Sequence, residues 1–134
     1  MGARKNFIEK YISEQYGGTV AYMFANAPDV GICRHGEKGK WYAAFMNVEY
    51  RKLGLEKDGS TDILDLKCDP MLAAALCNGT TIFPGYHMNK THWITITLDG
   101  RADEEETMSL VDLSYRLTLP KIKKNGNAGN VSVR

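Results

Sequence analysis

The segment from Pro84 to Trp93 concentrates the groups most able to do chemistry: Tyr86, His87, Asn89, Lys90, His92 and Trp93. An ammonium such as Lys90 can neutralise a phosphate. An amide such as Asn89 can hydrogen-bond a base edge, as Asn does with adenine. Tyr86, His87 or Trp93 can stack on an unpaired base. A metal is the second chemistry to weigh, because His87 and His92 could be joined by Cys68 or Cys77. The histidine spacing is not the i, i+4 pair of a helical zinc site, and there is no CxxC. Buried thiols and histidines bonded within their own loop account for the same residues without a metal. A Cys–His nucleophile lacks an identifiable orienting group. GxSxG, P-loop, GxGxxG and HExxH motifs are all missing. The expectation is a protein that is not an enzyme and has no cofactor or metal.

A second basic cluster, Arg34, His35, Lys38 and Lys40, surrounds a Gly-containing turn. With the first it makes two basic tips that could touch a nucleic-acid backbone. Each residue also has a plainer use. Hairpin lysines are commonly solvated edge charges, a tryptophan opening a strand is commonly core, and Asn89 is a residue that holds turns. A third possibility draws on Thr91, Thr95 and Thr97, which alternate with Ile94, Ile96 and Leu98. That Thr face could hold a small ligand or a peptide, or simply face solvent.

The elements that must position these groups follow from periodicity. Phe7, Ile8, Tyr11, Ile12 and Gln15 mark one face of a helix over 6–16, with Asn6 and Glu9 as a capping pair and Gly17-Gly18 as the stop. Short strands are expected at 20–24 and 30–34. A strand over 41–48, apolar on both faces, belongs in the middle of a sheet. Residues 49–61 read as a polar loop. The stretch 62–68 alternates as a strand. Asp69 then caps a helix with Pro70 at its first position, closed by Asn78-Gly79. A short strand near Ile82, a Pro84-Gly85 turn and a strand over 93–98 come next. Asp103 to Glu106 suit the start of a last helix, 103–118. On it Met108, Val111 and Tyr115 share one face, with Leu110, Leu113 and Leu117 nearly opposite. A helix with two apolar faces needs cover beyond the sheet. Cover within the chain is the expectation, so a monomer is favoured, with a dimer through this helix as the alternative.

The chain of 134 residues, 43% hydrophobic, is enough for one domain with its own core. No run is apolar enough for a membrane span or a signal-peptide core, and three cysteines without a pairing pattern suit a reducing cytoplasm. Net charge is +1. Four of the 17 basic residues (Lys121, Lys123, Lys124 and Arg134) lie in an Asn/Gly-rich tail, so the first 120 residues carry 13 against all 16 acidic ones. A protein that grips many phosphates by bulk field is strongly basic. Any binding of DNA must be weak and use a local patch. The expected domain is 1–119, and 120–134 is a basic tail.

The order of several motifs adds a resemblance. Pro84 to Trp93, followed by Leu98-Asp99-Gly100 and Asp112-Leu113-Ser114-Tyr115, resembles the MmcQ/YjbR family of small bacterial proteins. Asn47-Val48, Lys52-Leu53-Gly54-Leu55, Asp62-Ile63-Leu64 and Leu66 to Pro70 match in the same order, so the likeness runs over about residues 5–119. It implies an α+β fold of the frataxin-like group and a DNA-binding activity through two β wings, which is itself only proposed for the family. Pattern and resemblance together lead to a single α+β domain, with an antiparallel sheet of about five strands and helices mainly on one face. Function is expected to be weak DNA binding through Arg34, His35, Lys38, Lys40, Tyr86, His87, Asn89, Lys90, His92 and Trp93. The alternative is a ligand- or protein-binding module with no nucleic-acid role.

Overall fold

A computed structural model describes residues 2–120. Five strands form one antiparallel sheet: β1 (Gly31–Arg34), β2 (Trp41–Glu49), β3 (Ser60–Lys67), β4 (Ile82–Pro84) and β5 (Trp93–Thr97), in the order β1-β2-β3-β5-β4. Three helices, α1 (Ala3–Tyr16), α2 (Pro70–Leu76) and α3 (Glu104–Leu117), contribute to the core on one face. Their residues Ile8, Ile12, Ala73, Leu110 and Val111 meet Phe45, Leu64, Leu66, Ile94, Ile96 and Leu98. The register explains the set: Phe45, Leu64, Ile96 and Ile82 lie side by side across four strands, and their side chains share a face because the pleat has period two.

Local chemistry sets most boundaries. Asp69 Oδ2 accepts from the amides of Met71 and Leu72, and Pro70 opens α2. Asp103 caps α3 through the Glu106 amide, with Glu104, Glu105 and Glu106 at the positive end of its dipole. Gly17 ends α1 in the left-handed region at φ 76°.

Several expectations are corrected. The helix expected from Asn6 begins at Ala3, with Gly2 as its cap; Asn6 and Glu9 lie inside it, and its cap has no side-chain bond. Gln15 is exposed. Residues 20–24 make a single bridge, Ala21 to Ile32, rather than a strand. The 49–61 loop contains a 3-10 turn, Tyr50–Leu53, and β3 already starts at Ser60. The helix α2 stops at Leu76, and Asn78 instead organises the next turn by accepting from the amides of Thr80, Thr81 and Ile82. On α3 the buried stripe is Thr107, Leu110, Val111 and Ser114, so the apolar faces expected to be opposed merge at Leu110 and Val111 while Leu117 is exposed.

The second sheet face is also closed. Ile32, Ala44, Ile63, Asp65, Thr95 and Thr97 are each no more than 1% exposed. A solvated Thr95–Thr97 face is therefore overturned: both threonines are fully buried, and the Tyr86 amide of the 85–92 segment donates to Thr95 Oγ1 at 2.7 Å. No described helix is long and apolar enough to cross a membrane. Of the expected basic tail, 120–134, residues 121–134 lie outside the described residues.

Candidate nucleic-acid interface

The two basic segments occupy the same end of the sheet. Arg34 pairs with Trp41 and Ala43 with Leu66, so the 35–40 turn lies beside the C-terminal end of β3. Lys67 pairs with Trp93 and Pro84 with Ile94, which brings the 85–92 loop to that end as well. The strand order separates the two hairpins by three interstrand steps, roughly 14 Å at ~4.8 Å each.

The first tip is tight. The His35 amide donates to the Lys40 carbonyl at 3.1 Å. Gly39 is obligatory, since a Cβ there would lie 1.7 Å from the His35 carbonyl oxygen. Arg34, Lys38 and Lys40 are exposed, and no ion pair among the described residues engages them. His35 is turned inward: its Nε2 lies 2.7 Å from Thr118 Oγ1, and its ring packs on Tyr42 and Tyr115. Burial holds its pKa below the usual imidazole value despite a bond with the Tyr115 backbone. Burial thus favours its neutral form.

The second tip is braced from within. Asn89 Oδ1 accepts from the amides of Thr91 and His92, so Asn89 holds the turn. Lys90 Nζ donates to the Gly85 carbonyl at 2.8 Å. A Cβ at Gly85 would come within 2.6 Å of Trp93 Cβ, which is why the chain can pass so close there. His87 is at φ 62°, a conformation non-glycine residues rarely adopt, and its ring leans on Tyr86. His87, Asn89, Lys90 and His92 are exposed, and Tyr86 is half-buried. Trp93 is only 8% exposed, with the Lys67 ammonium over its ring, so it is a core residue and not a stacking platform.

Charge divides along the strands. Arg34, Lys38, Lys40, Lys67 and Lys90 belong to the end with the two tips, against Glu37 and the capping Asp69. The opposite end carries Glu49, Asp58, Asp62, Asp99, Asp103, Glu104, Glu105 and Glu106 together with the cations Arg4, Arg51, Lys52, Lys57 and Arg101, of which Arg4, Arg51 and Arg101 are paired to Glu104, Asp58 and Asp99. A cleft of about 490 Å³ lies there, lined by Arg4, Asn47, Tyr50, Asp62 and Asp99 among others. Its carboxylates make it a poor seat for phosphate. Among the described residues no three His, Cys, Asp or Glu side chains converge.

Two groups escaped sequence reading. Ser114 Oγ accepts from the Lys67 amide at 2.9 Å and donates to the Tyr42 carbonyl at 2.6 Å. It thus stands between β2 and β3 where their paired register ends. Asp65 is wholly buried mid-strand, accepting from Thr95 Oγ1, with its other oxygen unpartnered. Only the Thr-rich strand opposite hinted at a polar partner.

Comparison with known proteins is consistent with this architecture. A family model described as YjbR matches residues 15–117. YyaQ of Bacillus subtilis strain 168, described as uncharacterised, is 43% identical over 111 residues, covering 83% of this chain and 94% of YyaQ. YjbR of Escherichia coli K12, described in the same way, is 33% identical over 78 residues, 57% of this chain and 66% of that protein. A crystal structure from Pseudomonas syringae superposes with a TM-score of 0.81 at 35% identity, over 86% of this chain and 98% of its own. A Deinococcus radiodurans protein described as having a DUF419 domain matches with a TM-score of 0.53 at 30% identity, over 73% of this chain and 65% of its own. With the family model spanning the whole sheet, α2 and α3, and YyaQ matching over most of the chain, the protein belongs to the YjbR family.

Proposed function

We propose that the tip-bearing end of the sheet binds nucleic acid weakly, by its backbone, and without catalysis. The observation that supports this reading is the placement of two exposed basic hairpin tips at one end, with the acidic groups gathered at the other. Arg34, Lys38, Lys40 and Lys90 supply the cations; Tyr86 and His87 offer rings beside Lys90. Phosphate contacts of this kind position a protein without reading sequence. Four cations correspond to a slope of log affinity against log salt no steeper than about −4.

Fluorescence anisotropy on duplex and single-stranded DNA at low salt tests the reading. Lys90→Ala should weaken binding and flatten the salt slope by about one unit. Lys38→Ala with Lys40→Ala should do the same. A chain ending at Pro120 is the control, because the tail lysines can hold DNA non-specifically by themselves. Loss of all binding with the tail and indifference to Lys90 would transfer the role to a ligand- or protein-binding module.

A further inference from the structure

Asp65 is a carboxylate with no exposed surface, placed mid-strand on the sheet face that the 85–92 loop covers. Its Oδ1 accepts from Thr95 Oγ1, and Thr95 Oγ1 in turn accepts from the Tyr86 amide. A chain of two hydrogen bonds thus joins the carboxyl group to the loop's first turn. Asp65 Oδ2 has no partner, and neither does Thr97 Oγ1. Asp65 pairs with Thr95 and Ile63 with Thr97, so the two unpartnered oxygens are diagonal neighbours on one face. Asp65 Oδ2 is thus left with neither a hydrogen-bond donor nor solvent, the setting in which burial favours the neutral form of a carboxyl group.

The surroundings point the same way. Ala44 of β2, Thr95 and Thr97 of β5, and Ile63 and Lys67 of its own strand flank Asp65. Lys67 spends its ammonium over the Trp93 ring. From the loop come the Tyr86 amide and Lys90; His87 is exposed, with its ring against that of Tyr86. Lys90 is therefore the facing cation, and it is tied to the Gly85 carbonyl. No carboxylate or imidazole among the described residues presses on Asp65. Burial pushes its pKa from 3.8 up to about 7, outweighing the opposite pull of Thr95, the Tyr86 amide and Lys90.

We infer that the 85–92 loop is a proton-operated cover: protonated Asp65 keeps it closed on the sheet, and ionisation of Asp65 releases it. The proton goes to solvent, and the carboxylate that remains gains hydration only when the loop lifts. Linkage gives the sign. An open loop leaves Asp65 close to its ordinary titration range, so opening gains about tenfold for each pH unit above that range until the closed form also ionises. The loop also carries Lys90 and Tyr86 of the proposed interface, but its pH response is a property of the free protein and is read with no nucleic acid present.

Nuclear magnetic resonance tests it on the full chain. The Asp65 carboxyl carbon should titrate near neutral pH, well above the exposed Asp58. Hydrogen exchange of the Tyr86 amide, corrected for intrinsic chemistry, should lose about tenfold protection per unit as pH rises from 5 toward 7, and at each pH it should stay less protected than the Leu64 amide, which opens only with the whole sheet. Asp65→Asn should make Tyr86 protection independent of pH. Lys90→Met should move the Asp65 midpoint upward, because the ammonium favours the ionised form. An Asp65 midpoint near 4, flat Tyr86 protection, or an unchanged slope in Asp65→Asn each overturns the inference. Should Asp65→Asn fail to fold, the wild-type titration and exchange profile decide alone.

Discussion

Asp65 shows how one residue can carry a pH response for a whole fold. Its pKa is raised on folding, so its contribution to stability is fully present below about pH 4 and is lost as pH rises through about 7. The difference over that window has a ceiling of about 4 kcal/mol, reached only if the loop stays shut. Urea midpoints measured from pH 4.5 to 8 should fall in the wild type and change less in Asp65→Asn. Asp99 has the opposite sign. Burial pushes its pKa up, but hydrogen bonds from Tyr50 and Arg101 outweigh this and hold it below the usual carboxylate value. Its contribution is present at neutral pH and lost on acidification through its folded value. Tyr50→Phe should therefore destabilise the protein at pH 7, and by less as pH falls through the folded Asp99 value, as urea midpoints along an acid series would show.

At the scale of elements, the junction of β2, β3 and α3 rests on one hydroxyl. Ser114 joins the Tyr42 carbonyl to the Lys67 amide, and the helix is thereby fixed to the end of the sheet that bears the two tips. Ser114→Ala leaves two buried backbone groups without partners and should cost about 1–3 kcal/mol. Chemical denaturation checks this; an unchanged midpoint would mean that β2 and β3 can pair directly there. The core register makes a second demand. Ile96 is wholly buried between Leu64 and Ile82. Ile96→Ala should cost about 2–5 kcal/mol, since the central strands have little room to collapse.

For the whole molecule, the first helix supplies part of the cover that the last one needs. Tyr11 and Tyr16 donate to Asp112, and Tyr16 stacks on Tyr115 at 3.8 Å, so α1 covers the part of α3 around Asp112 and Tyr115. Leu117 and Leu119 are left about half exposed. Isolated apolar residues of this kind are ordinary on a monomer surface. Light scattering should give a mass near 15.0 kDa, and a concentration-dependent mass near twice that would restore the dimer through α3. The charge division along the strands is also a property of the whole. Residues 1–120 are net acidic, yet the tip-bearing end is not.

Much of this protein is written locally. Asp69-Pro70, Asp103 with its following glutamates, and Gly17 mark helix ends because caps act within a turn or two of the chain. Ile94, Ile96 and Leu98 announce their face because strand periodicity survives without knowledge of neighbours. The basic and aromatic residues of both tips were legible as types. What those types do was decided by packing. His35 and Trp93 turn inward, and Asn89 serves its own loop, because each found a partner distant in sequence or a turn to hold. The burial of Asp65, Thr95 and Thr97 was invisible for the same reason: a strand's pattern says which residues share a face, but only the folded loop decides whether that face meets water.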